Sequence, residues 1–303
     1  MKKLIVLSLA MAAIFLTWGS VAPARAQDPA KDDKPTFYRL TPGVYVNGWP
    51  RLSFHYPKEW IERPPMIQEV FRASVPGPVP APAFVYAPFA PPATPPAPPL
   101  DKMADFYATI FKNVATDVTV VADKPSRLRD GSPAREVELR MLMNGAPLNV
   151  MGLVAKKGDV TINMGVESVT AKTEEDLKAI LYSIEFQPDK DKPVKVPPDI
   201  QELLDKHCSD LVARDVAKVM THYSDRYLNS GLTKGEVERF WKQFIGSITS
   251  YKIGITEFVA ASDQTYLAGF VTSNLGIGPL RENSIIKENG EWKWYGNQRH
   301  PAP

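Results

Sequence analysis

The sequence predicts a two-domain α+β protein built on antiparallel sheets. Three observations predict it. Apolar and polar residues alternate in many short runs separated by turn residues, the pattern of antiparallel strands joined by hairpins. Each half also has stretches with apolar residues three and four apart, the spacing of amphipathic helices. Between the halves, QPDKDKPVKVPPD (187–199) has four prolines and alternating charges, with little to bury. That composition suits an exposed, semi-stiff connection, so a linker is expected over 189–198.

The chain opens with MKKLIVLSLAMAAIFLTWGSVAPARAQ. Lys2 and Lys3, an apolar run from Leu4 to Leu16 and then Ala24-Arg25-Ala26 form a secretory signal peptide over 1–26, with cleavage expected after Ala26. The run is shorter than the about 20 residues of a bilayer-spanning helix. A periplasmic or secreted protein with no membrane span after cleavage is therefore expected. Without Lys2, Lys3 and Arg25 the chain carries 33 basic and 34 acidic residues. No segment clusters Lys and Arg with aromatics, which argues against a nucleic-acid partner. Cys208 is the single cysteine, so no intrachain disulfide can form. Four histidines without a cluster argue against a metal site. No cofactor is expected.

In the first half, RLSFHYPKEWIE (51–62) alternates so that Leu52, Phe54 and Tyr56 share one strand face. MIQEVFRASV is a second strand and AFVYAPF a third. The last lies inside PGPVPAPAFVYAPFAPPATPPAPP (76–99), eleven of whose 24 residues are proline. This stretch is an internal loop of the first domain, with prolines 91–99 extended as polyproline II. PFAP and PATP fit the PxxP spacing of peptide ligands, a pattern that any proline-rich run produces. A helix follows, with Met103, Phe106, Tyr107, Ile110, Phe111 and Val114 on its apolar face. VTVVAD, AREVELRMLM, PLNVMGLVAKK and VTINMGVES are four more strands. TEEDLKAILYSI is a short helix with Thr173 as N-cap, and SIEF closes the domain.

The second half begins with a long helix, DIQELLDKHCSDLVARDVAKVM, broken near Ala213-Arg214-Asp215. Ile200, Leu203, Leu204, Leu211, Val212, Val216, Val219 and Met220 form its apolar stripe, and His207 is placed on the polar side. TKGEVERFWKQFIGSI is a further helix with a capping box between Thr233 and Glu236. SYKIGITEFVAA, TYLAGFVTSNL, RENSIIKE and EWKWYGNQ are four strands, the last two joined by an Asn-Gly hairpin.

The first half, over 37–188, resembles the PsbP/Mog-type fold shared by DcrB-like and LpqN-like envelope proteins. The resemblance rests on YPKEW, the DGSPA turn, the strand meander and the closing SIEF. It implies an α/β/α-type sandwich with an antiparallel sheet, and an accessory or binding role. The second half, over 199–300, resembles the nuclear-transport-factor-2-like, or SnoaL-like, family. ARDVAKVMTHYSDRYLNSG, TKGEVERFWKQF and GEWKWYGNQ carry that resemblance. It implies a cone-shaped α+β domain enclosing a pocket, here bordered by Tyr223, Tyr227, Trp241, Tyr266 and Trp294. It also implies a possible homodimer through the sheet of this domain. The family holds both enzymes and binding proteins. His222 and Asp225 are the candidate acid–base residues. Together these features lead to an exported, non-catalytic binding or accessory protein whose ligand is a small hydrophobic molecule or a protein partner. The alternative is an isomerase, cyclase or hydrolase acting on a small hydrophobic substrate.

Overall fold

Packing in the first half starts from the strand pattern at its front. Leu52 and Phe54 are fully buried, and Tyr56 nearly so. The first two lie on β2 (Leu52–His55), which pairs antiparallel with β1 (Val44–Asn47) and β10 (Glu185–Phe186) in a three-stranded sheet. The structure is a computed structural model, and it describes residues 35–38, 41–63, 69–77, 83–89, 98–158, 160–168, 171–188, 192–261, 264–281 and 284–299. The expected signal peptide and residues 91–97 of the expected polyproline segment lie outside the described residues.

A seven-stranded antiparallel sheet forms the middle layer of this half. Its strands are β3 (Ile61–Glu62), β4 (Phe71–Ser74), β5 (Ala83–Phe89), β6 (Thr116–Arg127), β7 (Pro133–Met143), β8 (Ala146–Lys157) and β9 (Val160–Ser168). Their spatial order is β3-β4-β5-β9-β8-β7-β6. Successive side chains on a strand face opposite ways, so each strand feeds two cores. Val137, Leu139, Met141 and Val154 pack under α1 (Met103–Phe111), against Met103 and Tyr107. Ala134, Met151, Leu153, Ala155 and Ile162 pack against Leu52, Phe54 and α2 (Ala171–Tyr182), through Leu177, Ile180 and Leu181.

Several boundaries differ from the sequence pattern. The strand expected over 51–62 is interrupted, because the Trp60 amide turns back to the Pro57 carbonyl (3.0 Å). The helix α2 begins at Ala171, so Thr173 lies within its first turn and does not cap it. Ala and Lys are good helix formers and extend the helix past the expected start. β1 has no counterpart among the expected strands.

The second half places helices against one face of an antiparallel sheet. Two short strands, β11 (Leu228–Asn229) and β12 (Leu232–Thr233), form a small hairpin between the helices. The helices are α3 (Pro198–Val212), α4 (Val216–Thr221) and α5 (Lys234–Phe244). The break between α3 and α4 falls where the sequence marks it. Arg214 has φ of +63°, and the Asp215 carboxylate accepts the Lys218 amide as N-cap. Because α3 ends there, Val212 is 40% exposed and leaves the stripe it was assigned to. Glu236 accepts the Thr233 amide (2.7 Å), as the capping box requires.

The sheet comprises β13 (Tyr251–Ala260), β14 (Gln264–Ser273), β15 (Gly276–Pro279), β16 (Ser284–Glu288) and β17 (Glu291–Trp294). β15 pairs with β14 and was not expected from the sequence. Asn289 and Gly290 both have positive φ, +52° and +85°, as the hairpin between β16 and β17 demands.

Strand β14 is a wall shared by both halves. Leu267 and Val271 face the helices of the second half. Tyr266, Ala268 and Phe270 face the first half. There Tyr266 meets Tyr38 (ring centroids 4.4 Å) and Phe270 meets Trp49 (4.9 Å). Arg51 pairs with Glu257 across the same boundary. The ends of the described chain also meet. Arg299 Nη2 donates to the Tyr38 carbonyl (2.7 Å), and the Tyr38 hydroxyl donates to the Gly296 carbonyl (3.4 Å). The connecting segment is tied at both ends, by Gln187 N–H to Arg51 O (3.0 Å) and Val194 N–H to Ile255 O (2.7 Å), and Val196 is buried in the second core. The whole is a mixed α+β structure with antiparallel sheets.

Candidate functional site

The residues picked out in the second half do not all meet. Tyr223 and Trp294 are fully buried, and Tyr227 and Trp241 nearly so. Tyr223 and Tyr227 pack edge to face with centroids 5.0 Å apart, and Trp241 Nε1 donates to the Tyr223 hydroxyl at 3.4 Å. Tyr266 is not part of this cluster. It lies on the other face of β14, against Tyr38.

The cluster has a further member. His207 is 2% exposed, and its ring lies 5.6 Å from Trp294 and 5.7 Å from both Tyr223 and His222. It belongs to the buried face of α3, which corrects its placement on the polar side. Burial lowers its pKa to about 3, with His222 adding to the effect, so the imidazole is neutral at pH 7. The signal lies in the spacing: 200, 203, 204, 207 and 211 form one helical stripe, which its polar side chain disguises at His207.

The acid–base candidates face different ways. His222 Nε2 lies 2.7 Å from Asp210 Oδ2. The Asp225 side chain is 95% exposed and pairs with Lys234 (2.7 Å), whose ammonium also donates to the Tyr223 carbonyl (2.8 Å). The Lys234 bond holds the Asp225 carboxyl below its ordinary value. Asp225 is therefore an anchor for the start of α5 and points to solvent. Cys208 is partly buried, and burial pushes its thiol up to about 12, which leaves no reactive thiolate at neutral pH.

A different site emerges where the two halves close on each other. A cleft of about 60 Å³ is lined by residues of both. From the first half come Tyr45 and Asn47 of β1, Gly48 and Trp49 just after it, Glu62 and Arg63 at the end of β3, and Glu69 through Arg72 around β4. From the second half come Asn229, Ser230 and Leu232 of the small hairpin, Ala268 and Gly269 of β14, Arg281 after β15, and Asn297 and Arg299.

The lining is held by its own bonds. Asn47 Nδ2 donates to the carbonyls of Trp49 (2.7 Å) and Pro50 (2.9 Å), and its Oδ1 accepts the Tyr45 hydroxyl (3.1 Å). Arg72 grips Glu69 with two bonds, at 2.8 and 2.6 Å, and Glu69 is 3% exposed. Arg281 donates to the Glu69 carbonyl across the boundary. Asn297 Oδ1 accepts the amides of Ser230 (2.7 Å) and Arg299 (3.1 Å). Burial raises the Tyr45 hydroxyl well above its usual value, so it stays protonated. Such a wall of locked side chains presents fixed dipoles and charges to whatever enters.

No family model matches the sequence, and no curated protein matches it. Solved structures similar to it include cyanobacterial PsbP (CyanoP) from Synechocystis sp. PCC 6803, at 9% identity and TM-score 0.40, covering 48% of this chain and 91% of that one. LpqN, involved in cell envelope biogenesis of Mycobacterium tuberculosis, is similar at 14% identity and TM-score 0.35, covering 49% and 87%. A protein from Bacteroides thetaiotaomicron VPI-5482 is similar over 84% of this chain and 89% of its own, at 11% identity and TM-score 0.33. Among the described residues, no helix is long and apolar enough to cross a membrane.

Proposed function

We propose that the protein is an exported, non-catalytic binding protein of the bacterial-type cell envelope, and that its ligand sits in the cleft between the two halves. The observation that carries the reading is convergence. Polar and aromatic side chains separated by more than two hundred positions, from Tyr45 to Arg299, line one cleft and are held there by hydrogen bonds. The acid–base candidates of the second half show no such convergence, since Asp225 points to solvent and His222 pairs with Asp210. Export rests on the signal-peptide pattern over 1–26. A PsbP/Mog-like first half and a nuclear-transport-factor-2-like second half are the finer fold assignments, supported by the element order within each.

The test is a thermal-shift screen of the chain from Gln27 against small metabolites, with recovered compounds examined by mass spectrometry. The expected result is saturable stabilisation by a ligand that is returned unchanged. The reading fails if activated ketones, esters or epoxides are turned over and Asp225→Asn or His222→Ala abolishes that turnover in a folded protein.

A further inference from the structure

We infer that the cleft between the halves binds a small organic carboxylate, with the guanidinium of Arg63 as its main contact. The inference rests on the binding-protein reading above and names the ligand class. Its first support is charge. Four arginines line the cleft, Arg63, Arg72, Arg281 and Arg299, against two acids, Glu62 and Glu69. Glu69 is committed to Arg72 by two hydrogen bonds, and Glu62 accepts the Tyr56 hydroxyl at 2.9 Å. Arg63 donates through Nε to the Ser74 hydroxyl at 2.9 Å and has no carboxylate partner among the described residues. The Ser74 bond fixes the guanidinium plane. A guanidinium so oriented offers a planar fork that matches a carboxylate with two parallel bonds.

The second support is the positive field around that fork. Arg281 and Arg299 both line the cleft, and both act on the Tyr45 hydroxyl in its wall, with Glu62 opposing them. In a partly enclosed site such charges are screened less than at an open surface. The third support is size and surface. The cleft's 60 Å³ corresponds, at about 10–15 Å³ for each water molecule it could hold, to a ligand on the order of five heavy atoms. Phe37, Tyr45, Trp49 and Phe71 give part of the lining an aromatic character. A short carbon body can use those rings, whereas an inorganic oxyanion cannot.

Titration calorimetry on the chain from Gln27 tests this with acetate, propionate and lactate. Acetamide and propionamide serve as uncharged isosteres, and inorganic phosphate as the inorganic oxyanion. At least one carboxylate should bind saturably, with its amide at least tenfold weaker. Arg63→Gln should weaken binding by roughly tenfold to a hundredfold, the range for a hydrogen bond to a charged group. Circular dichroism checks that the variant folds. If it does not, Arg63→Lys keeps the charge but loses the fork, and should still weaken binding about tenfold. Equal binding of acid and amide, wild-type affinity in a folded Arg63 variant, or binding of phosphate alone overturns the inference. A neutral or cationic compound bound in the cleft would also overturn it while leaving the binding-protein reading intact. Turnover in the screen described above would overturn that reading instead.

Discussion

An imidazole surrounded by Tyr223, Tyr251, Trp294 and His222 has no water to solvate the charge of a second proton. His207 shows the cost of that placement. Burial lowers its folded pKa to about 3, whereas the unfolded chain titrates near the ordinary histidine value of 6.5. Below 6.5 the unfolded state therefore binds a proton that the folded state does not. Stability present above that pH is lost as pH falls toward about 3, by up to about 1.4 kcal/mol per pH unit from this one group. Urea unfolding at pH 7 and pH 4.5 measures it. His207→Phe should flatten the slope over that window, and an unchanged slope would assign the effect to other groups. The same residue shows what composition hides. Its helical spacing marked it as buried, but a polar residue in an apolar stripe is easily assigned to the wrong face.

Among the elements, those set by local chemistry were legible. Asn289-Gly290 requires two positive φ angles, Arg214 breaks the helix ahead of the Asp215 cap, and Thr233 with Glu236 starts α5. The missed strands lack such signals. β15 is Gly-Ile-Gly-Pro, with no alternation to read, and its pairing with β14 alone makes it a strand. β1 is a four-residue strand whose register is set by β2. The long edge strand β6 presents a separate problem. It leaves Val120 and Val121 at 38% and 43% exposure beside an unpaired edge. Register shifts near Thr116–Thr119 and Val120–Ala122, together with Lys124 and Pro125, are features that disfavour pairing of such an edge with another chain. Pro125→Val should raise light scattering on heating while shifting stability by no more than about 0.5 kcal/mol. Unchanged aggregation would show that Pro125 does not guard the edge.

For the molecule as a whole, the decisive contacts are those between the halves, and these were least legible. The arginines of the cleft run from position 63 to position 299, and no local pattern links them. Tyr266 was placed with the second half's interior because alternation along a strand does not say which face meets which partner. At Gly48 the two backbones approach closely. A Cβ there would stand 2.7 Å from the Cβ of Ala268 on β14, so one backbone must move. Gly48→Val should cost about 1–3 kcal/mol, the usual range for forcing extra atoms into a packed contact. It should also weaken any cleft ligand, because Gly48 borders that space. Thermal unfolding gives the first quantity and calorimetry the second. Wild-type stability would mean that the halves are not tightly docked here.

The meeting of Arg299 with Tyr38 closes the described chain into a ring. A ring has no privileged starting point. The covalent connection over 189–198 could be cut and a short peptide placed between the present ends, so that the second half is synthesised first. Each half would keep its neighbours and the cleft its walls, because nearby termini tolerate such circular permutation. On this geometry, the permuted chain should fold to the same cleft.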